Sequence, residues 1–425
     1  MEIVKKLRHQ LGRWEYTGLC LLVLLTLVMQ FSTIMQPNEP VFDEQYYITD
    51  ARHILQGEGT ARTEHPPLGK LFVTFGMFLF GDNPFGWRFF SVLFGAVCIV
   101  LFYLICRRLA MSKESSLLAA FLLSLENLCF IQASVAMLDV YSLAFMLGSF
   151  WLYLKGRYLL SGISVGLSVL AKLSGALALP VILLHWFFTN RARPRKFLSS
   201  MLLAPASFFL LMPLLNLIIW RNASWHPSFN PIEQTQTMLR ISSMSTFAQY
   251  PSEMLSRPWD WILQPKILTY WVDPHYVAMI SPSIWALIIP VVLYITFRAI
   301  KGNSVALFSL LWFASTYLIW IPVSLITDRI SYIFYFYPTI GAICIGLALG
   351  LSQLCDIGRT GQMGRLRRVA RLAIPGFLLL HLAAFIILTP VSYWWKLPAC
   401  VALYILARLF LKMDKSPSLE GQYSQ

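Results

Sequence analysis

Long apolar runs separated by short polar breaks fill the chain from end to end. Twelve of them approach or reach the length of a membrane-crossing helix: 17–35, 87–108, 115–133, 137–155, 158–171, 174–189, 199–220, 279–298, 304–323, 330–352, 371–389 and 397–411. The pattern predicts an all-α polytopic membrane protein with about 12 transmembrane helices. No soluble domain of ordinary size fits between the runs, so residues 1–412 read as one integral membrane domain. The polar end, 413–425, reads as a disordered cytoplasmic tail.

Two breaks are long enough to hold chemistry, 36–86 and 221–278. In the first, Tyr47, Ala51, Ile54 and Leu55 share one helical face, and Gly57 and Gly59 stop the helix. The run LGKLFVTFGMFLFG after the two prolines is too short to span, which predicts a second helix lying in the interface. The second break carries Trp225, Trp259, Trp261, Tyr270, Trp271 and Tyr276, a set expected in the headgroup zone.

Composition agrees: 57% of residues are hydrophobic and 13% charged, against about a quarter charged in soluble domains. The net charge of +14 is a topology signal. Lys5, Lys6, Arg8, Arg107, Arg108, Lys113, Arg195, Lys196, Arg365, Arg367 and Arg368 fall in one set of alternate loops. Positive loops stay in the cytoplasm, so both termini are expected inside and both long loops outside. Nucleic acid is not an expected partner. The first span has no small-residue cleavage site after it and reads as an uncleaved helix. The seven cysteines avoid the long loops and show no metal spacing.

A few polar residues stand out. Asp43 and Glu44 open the amphipathic helix; Asp43 suits a helix cap or a general base near the membrane surface. Glu126 and Asp139 lie at membrane depth at facing helix ends, either as polar contacts between helices or as lining of one pocket. Lys70, Arg88, Lys172 and Arg329 are the cations expected at the outer face. Lys172 could snorkel. Arg329 could pair with Asp328 or clamp a phosphate. His65, before Pro66 and Pro67, reads as part of a helix start or as a substrate contact. No nucleotide loop and no metal cluster is visible. A sugar donor carried on a lipid phosphate needs neither, since it diffuses in the bilayer.

Five segments resemble the protein O-mannosyltransferases: FDE at 42–44, HPPLGK at 65–70, SLENLCFIQASVAMLDV at 124–140, SRPWDWIL at 256–263 and ITDRISYIFYFYPTI at 326–340. The resemblance implies the GT-C-type glycosyltransferase fold. It implies an inverting transfer of a sugar, expected to be mannose, from a polyprenyl- or dolichyl-phosphate carrier to a Ser or Thr hydroxyl of a protein, at the outer face of a prokaryotic plasma membrane. Asp43 matches the family's essential acid and Glu44 its partner, which makes both catalytic candidates. Arg329 matches the late basic position near the donor phosphate. With it, His65, Lys70, Glu126, Asp139 and Lys172 form the expected donor and substrate set; no metal or cofactor is expected. Ser134 stands where the family commonly has an arginine, and the loop before the eighth span is too short for the lumenal module of eukaryotic members. Aminoarabinose transferases share the plan, so a lipid or glycan acceptor is the alternative. A transporter or flippase is the rival outside enzymes, and it lacks the expected internal repeats.

Overall fold

The computed structural model describes residues 2–189, 194–224, 226–250, 252, 254–272, 276–360 and 364–391. The expected twelfth span and tail lie outside them. The chain is almost wholly helical. α1 (Glu2–Thr33), α4 (Pro84–Arg108) and α10 (Pro194–Ile219) are long apolar helices, as are the stretches Ser304–Thr327 and Ile333–Gly358. Among the described residues these 5 are long and apolar enough to cross a membrane, and a bent pair, α5 (Lys113–Ser124) and α6 (Asn127–Ser134), makes a sixth. Other expected spans appear as shorter apolar helices: α7 (Asp139–Leu154), α8 (Tyr158–Ala171), α9 (Ala178–Thr189) and Ile288–Ile300. The protein is an integral membrane protein of many helices.

The third expected span is not straight. It bends by 61° between α5 and α6. Glu126 sits in the bend, where its carboxylate accepts the Cys129 amide (2.7 Å) and the Ser281 amide (2.8 Å). The buried carboxylate thus satisfies the Cys129 amide, which the broken helix would leave without a partner, and ties the bend to the distant Ser281.

The first long loop folds as expected. α2 (Glu44–Gln56) ends on Gly57, whose φ of +80° lies in the left-handed region that glycine enters without strain. α3 (Pro67–Phe80) begins on its proline, which needs no amide partner there. Gly69 lets α3 close on α8, because a Cβ would stand 2.8 Å from the Ala171 carbonyl oxygen.

The second long loop departs from expectation. α11 (Pro231–Met244) is followed by a two-stranded hairpin, β1 (Leu268–Trp271) and β2 (Tyr276–Ala278). Trp261, Tyr270 and Tyr276 are buried in the core, not placed at a headgroup surface. Trp261 donates to Ser256 Oγ (2.9 Å), and Tyr276 donates to the Thr33 carbonyl (3.2 Å). Trp225 lies outside the described residues.

One ion pair gathers the loop end of the bundle. Arg88, in the first turns of α4, is fully buried and meets Glu44 through Nε (2.9 Å) and Nη2 (2.8 Å). Its remaining donors reach the carbonyls of Ile34, Gln36, Pro37 and Glu39 at 3.0–3.1 Å. Removing one partner of such a pair leaves an uncompensated buried charge, which costs about 3–5 kcal/mol. Arg88→Ala is therefore expected to lower the melting temperature in detergent sharply and to cut the yield of folded protein. The double variant Glu44→Gln, Arg88→Met should recover part of both. A single variant that melts like the parent would contradict this reading.

Candidate active site

The turn from Val41 to Glu44 aims Asp43. Glu44 accepts the Val41 amide (2.9 Å) through its side chain, and its own amide donates to the Val41 carbonyl (2.9 Å). The closed turn forces Phe42 to φ +49°, a strained value for a side chain of that size. The Phe42 ring is held by Tyr270 (stacked, 5.0 Å) and Tyr332 (edge-on, 5.4 Å). Asp43 thus leaves the turn fixed at its backbone.

Asp43 occupies the cap position of α2, but its side chain makes no cap hydrogen bond. No described residue donates to its carboxylate. Burial pushes its pKa up from 3.8 to about 6; Lys172 opposes the shift, Asp139 adds to it, and Arg62 and Glu64 follow. The helix-cap explanation fails, and a half-buried, underemployed carboxylate remains.

Around it converge the start of α7, the end of α8 and the segment after Thr327. Lys172 donates to both oxygens of Asp139 (2.7 and 2.8 Å). Its ammonium also lies 5.1 Å from the Phe334 ring centroid and 5.7 Å from that of Tyr335. Arg329 reaches the Tyr335 hydroxyl (3.3 Å). It does not pair with Asp328, whose carboxylate takes Arg257 instead. The opposing loop supplies His65, 3.3 Å from the Tyr47 hydroxyl. Burial first, then the charges of Lys172, Lys70, Arg329 and Arg62, hold the imidazole well below its usual pKa. His65 is neutral and can offer a hydrogen bond but no charge. It also lines a cavity of about 230 Å³ between the two long loops, with Thr63, Asn216, Trp220 and Gln234 among its walls.

Three expected site residues are taken up by partners inside the protein. Glu44 is fully buried; besides Arg88 and Val41 it accepts the Ala136 amide (2.6 Å), so it has no free oxygen for chemistry. Lys70 is fully buried on Asp50 (2.8 Å) and the Thr60 hydroxyl (2.7 Å). Glu126 belongs to the helix bend and shares no contact with Asp139. Each is a charge satisfied inside the protein, where reaching a substrate would leave its partners unpaired. Asp43, His65, Asp139, Lys172 and Arg329 are brought together. Arg62 and Glu64 join them unexpectedly. Arg62 stacks on Tyr46 (3.7 Å) and lies 3.5 Å from Glu64.

Residues 64–220 match the model of the dolichyl-phosphate-mannose-protein mannosyltransferase family. The polyprenol-phosphate-mannose–protein mannosyltransferase of Corynebacterium glutamicum is 21% identical across 92% of this chain and 91% of its own length. A second relative of that name, from Mycobacterium tuberculosis, is 32% identical, but over only 33% of this chain and 28% of its own. Among solved structures, the S. cerevisiae protein O-mannosyltransferase Pmt1–Pmt2 complex bound to the sugar donor superposes with a TM-score of 0.72. That match has 13% identity and covers 89% of this chain and 90% of that one. ArnT of Cupriavidus metallidurans bound to undecaprenyl phosphate gives 0.53 at 16% identity, over 92% of this chain and 77% of that one. The likeness thus holds in the family model over residues 64–220 and in fold over nearly the whole chain: the protein resembles the protein O-mannosyltransferase-like membrane glycosyltransferases.

Proposed function

We propose that the protein transfers mannose from a polyprenyl-phosphate carrier to a Ser or Thr hydroxyl of a protein, with inversion at the sugar. The observation that carries the reading is Asp43: a carboxylate held by its backbone, free of side-chain hydrogen bonds, with a raised pKa, within electrostatic reach of Lys172 and Arg62. Asp43 takes the proton of the acceptor hydroxyl. The oxygen attacks the anomeric carbon through an oxocarbenium-like state, and the bond from that carbon to the phosphate oxygen breaks. The lipid phosphate leaves with the electron pair. Arg329 meets the charge it gains, since a guanidinium binds two phosphate oxygens at once. Cationic side chains, not a metal or cofactor, fill this role in the proposed mechanism. Asp139 and Lys172 form the neutral floor of the site, and His65 orients a substrate hydroxyl.

The membrane is the plasma membrane of a prokaryote in this reading, with both termini cytoplasmic and the site outside. The fold likeness to ArnT keeps a lipid or glycan acceptor as the second reading. Labelled polyprenyl-phosphate-mannose, supplied to purified protein with membranes or a Ser/Thr-rich peptide, separates the two by what becomes labelled.

Asp43→Asn keeps the size of the side chain and removes its basicity. Transfer should fall by about 10²-fold or more with normal folding; a variant of parental rate would exclude the base. For the parent, Asp43 must be ionised to act. The rate of the free enzyme should be level above a pKa of about 6 and drop below it, by about tenfold per pH unit. An acid limb near pH 4 would mean that burial does not govern this carboxyl.

Arg329→Ala should raise the donor concentration needed for half-maximal rate severely, and Arg329→Lys should do so less. Equal donor dependence in parent and alanine variant would remove Arg329 from the phosphate site. For orientation, Glu58→Cys and Gln236→Cys should react with an impermeant thiol reagent on intact cells, and Lys301→Cys should not. The opposite labelling would invert the topology.

A further inference from the structure

The proposed reaction changes the charge on phosphorus chemistry in a definite way. The donor is a phosphodiester with one negative charge. The departing carrier is a monoester, with about −1.5 to −2 near neutral pH. A site for the departing group therefore gains from a second free cation.

The cations around His65 are Lys172, Lys70, Arg329 and Arg62. Two are already neutralised. Lys172 holds both oxygens of Asp139 (2.7 and 2.8 Å), and Lys70 is fully buried against Asp50 (2.8 Å). Arg88, close by in sequence, is taken by Glu44. Ser134 supplies no charge; its hydroxyl donates to the Phe130 carbonyl of its own helix (2.7 Å). Arg329 and Arg62 keep accessible guanidinium groups. Arg62 has one loose ionic contact, Glu64 at 3.5 Å, and its side chain is 40% exposed.

Arg62 is nevertheless firmly placed. Its ring-stacking partner Tyr46 lies three residues beyond Asp43, in the first turn of α2. Its amide donates to Asp50 Oδ1 (3.3 Å), as does that of Ala61 (2.9 Å). Its carbonyl accepts from Lys70 Nζ. The Asp50–Lys70 pair thus grips the backbone of Arg62 on both sides. Burying an ion pair is a poor route to stability, since desolvation offsets the attraction. Here it fixes an arginine in a loop that has no regular structure of its own.

We propose that Arg62 is a second binding cation for the lipid phosphate, acting with Arg329, and that Asp50 and Lys70 are the residues that position it. The inference rests on the lipid-phosphate reading above. It adds that the site favours the monoester over the diester. Glu64 competes for the same guanidinium and restrains it until phosphate arrives.

Undecaprenyl phosphate in detergent micelles is a sufficient probe, because binding needs no acceptor and no turnover. Titration followed by tryptophan fluorescence gives an affinity for each variant. Arg62→Ala should weaken binding about tenfold, and Arg62→Lys should weaken it less, since lysine lacks the fork. Glu64→Gln should tighten binding, an effect that a merely structural role for this loop does not produce. Added salt should weaken the parent more steeply than Arg62→Ala. If Arg62→Ala melts early, Arg62→Gln keeps the stack on Tyr46 and serves in its place. Parental affinity in these variants, or a loss confined to the acceptor's KM, would overturn the role of Arg62 alone. Failure of the parent protein to bind undecaprenyl phosphate would overturn the lipid-phosphate reading as well.

Discussion

Everything at the loop end hangs on the ion pair between Glu44 and Arg88. It joins the first turn of α2 to the first turns of α4, and through carbonyls 34–39 it fixes the strand of chain leaving α1. The Ala136 amide adds the turn between α6 and α7 to the same carboxylate. Four segments far apart in sequence thus share one charge centre. Such a centre contributes little net stability over an apolar substitute. What it supplies is geometry: with Glu44 immobile, the backbone of Asp43 beside it is held in place, and the strain at Phe42 is the local cost of that turn.

The site uses buried charge in a consistent manner. Three ion pairs, Glu44–Arg88, Asp50–Lys70 and Asp139–Lys172, are neutral units with almost no exposure. They shape the floor and walls. The working groups of the proposed mechanism are the ones left without a full complement of partners: Asp43, Arg329 and Arg62. A low-dielectric surround made of neutral pairs strengthens the field of those few free charges. The same surround raises the Asp43 carboxyl and suppresses the His65 imidazolium.

Much of this was legible in the sequence where it is written locally. Apolar runs marked most helices, Gly57 and Pro67 marked the ends of the loop helices, and Asp43 stood out by position. Pairings across long sequence distances were not legible. Nothing in the order of residues links Arg88 to Glu44 or Lys70 to Asp50, so free and satisfied cations looked alike. Arg62 gave a faint signal, an arginine in an aperiodic polar stretch just ahead of HPPLGK. Trp261, Tyr270 and Tyr276 of the second loop were misread because an aromatic ring suits a headgroup layer and a packed core equally well. The hydroxyl and indole partners that decide between them, Thr33 and Ser256, come from the fold.

The second long loop is not a free lid. Residues 245–247 pair along 328–330 through an isolated bridge between Thr246 and Arg329, with the Phe247 amide donating to the Asp328 carbonyl and the Ile330 amide to the Ser245 carbonyl. Ser256 and Ser331 extend the seam. The loop and the arginine therefore behave as one lever: a displacement of α11 must either carry the Arg329 backbone with it or break the seam. If Arg329 holds the phosphate as proposed, any molecule that settles against that loop acts on that end of the site, and by reciprocity an occupied phosphate end acts on the loop.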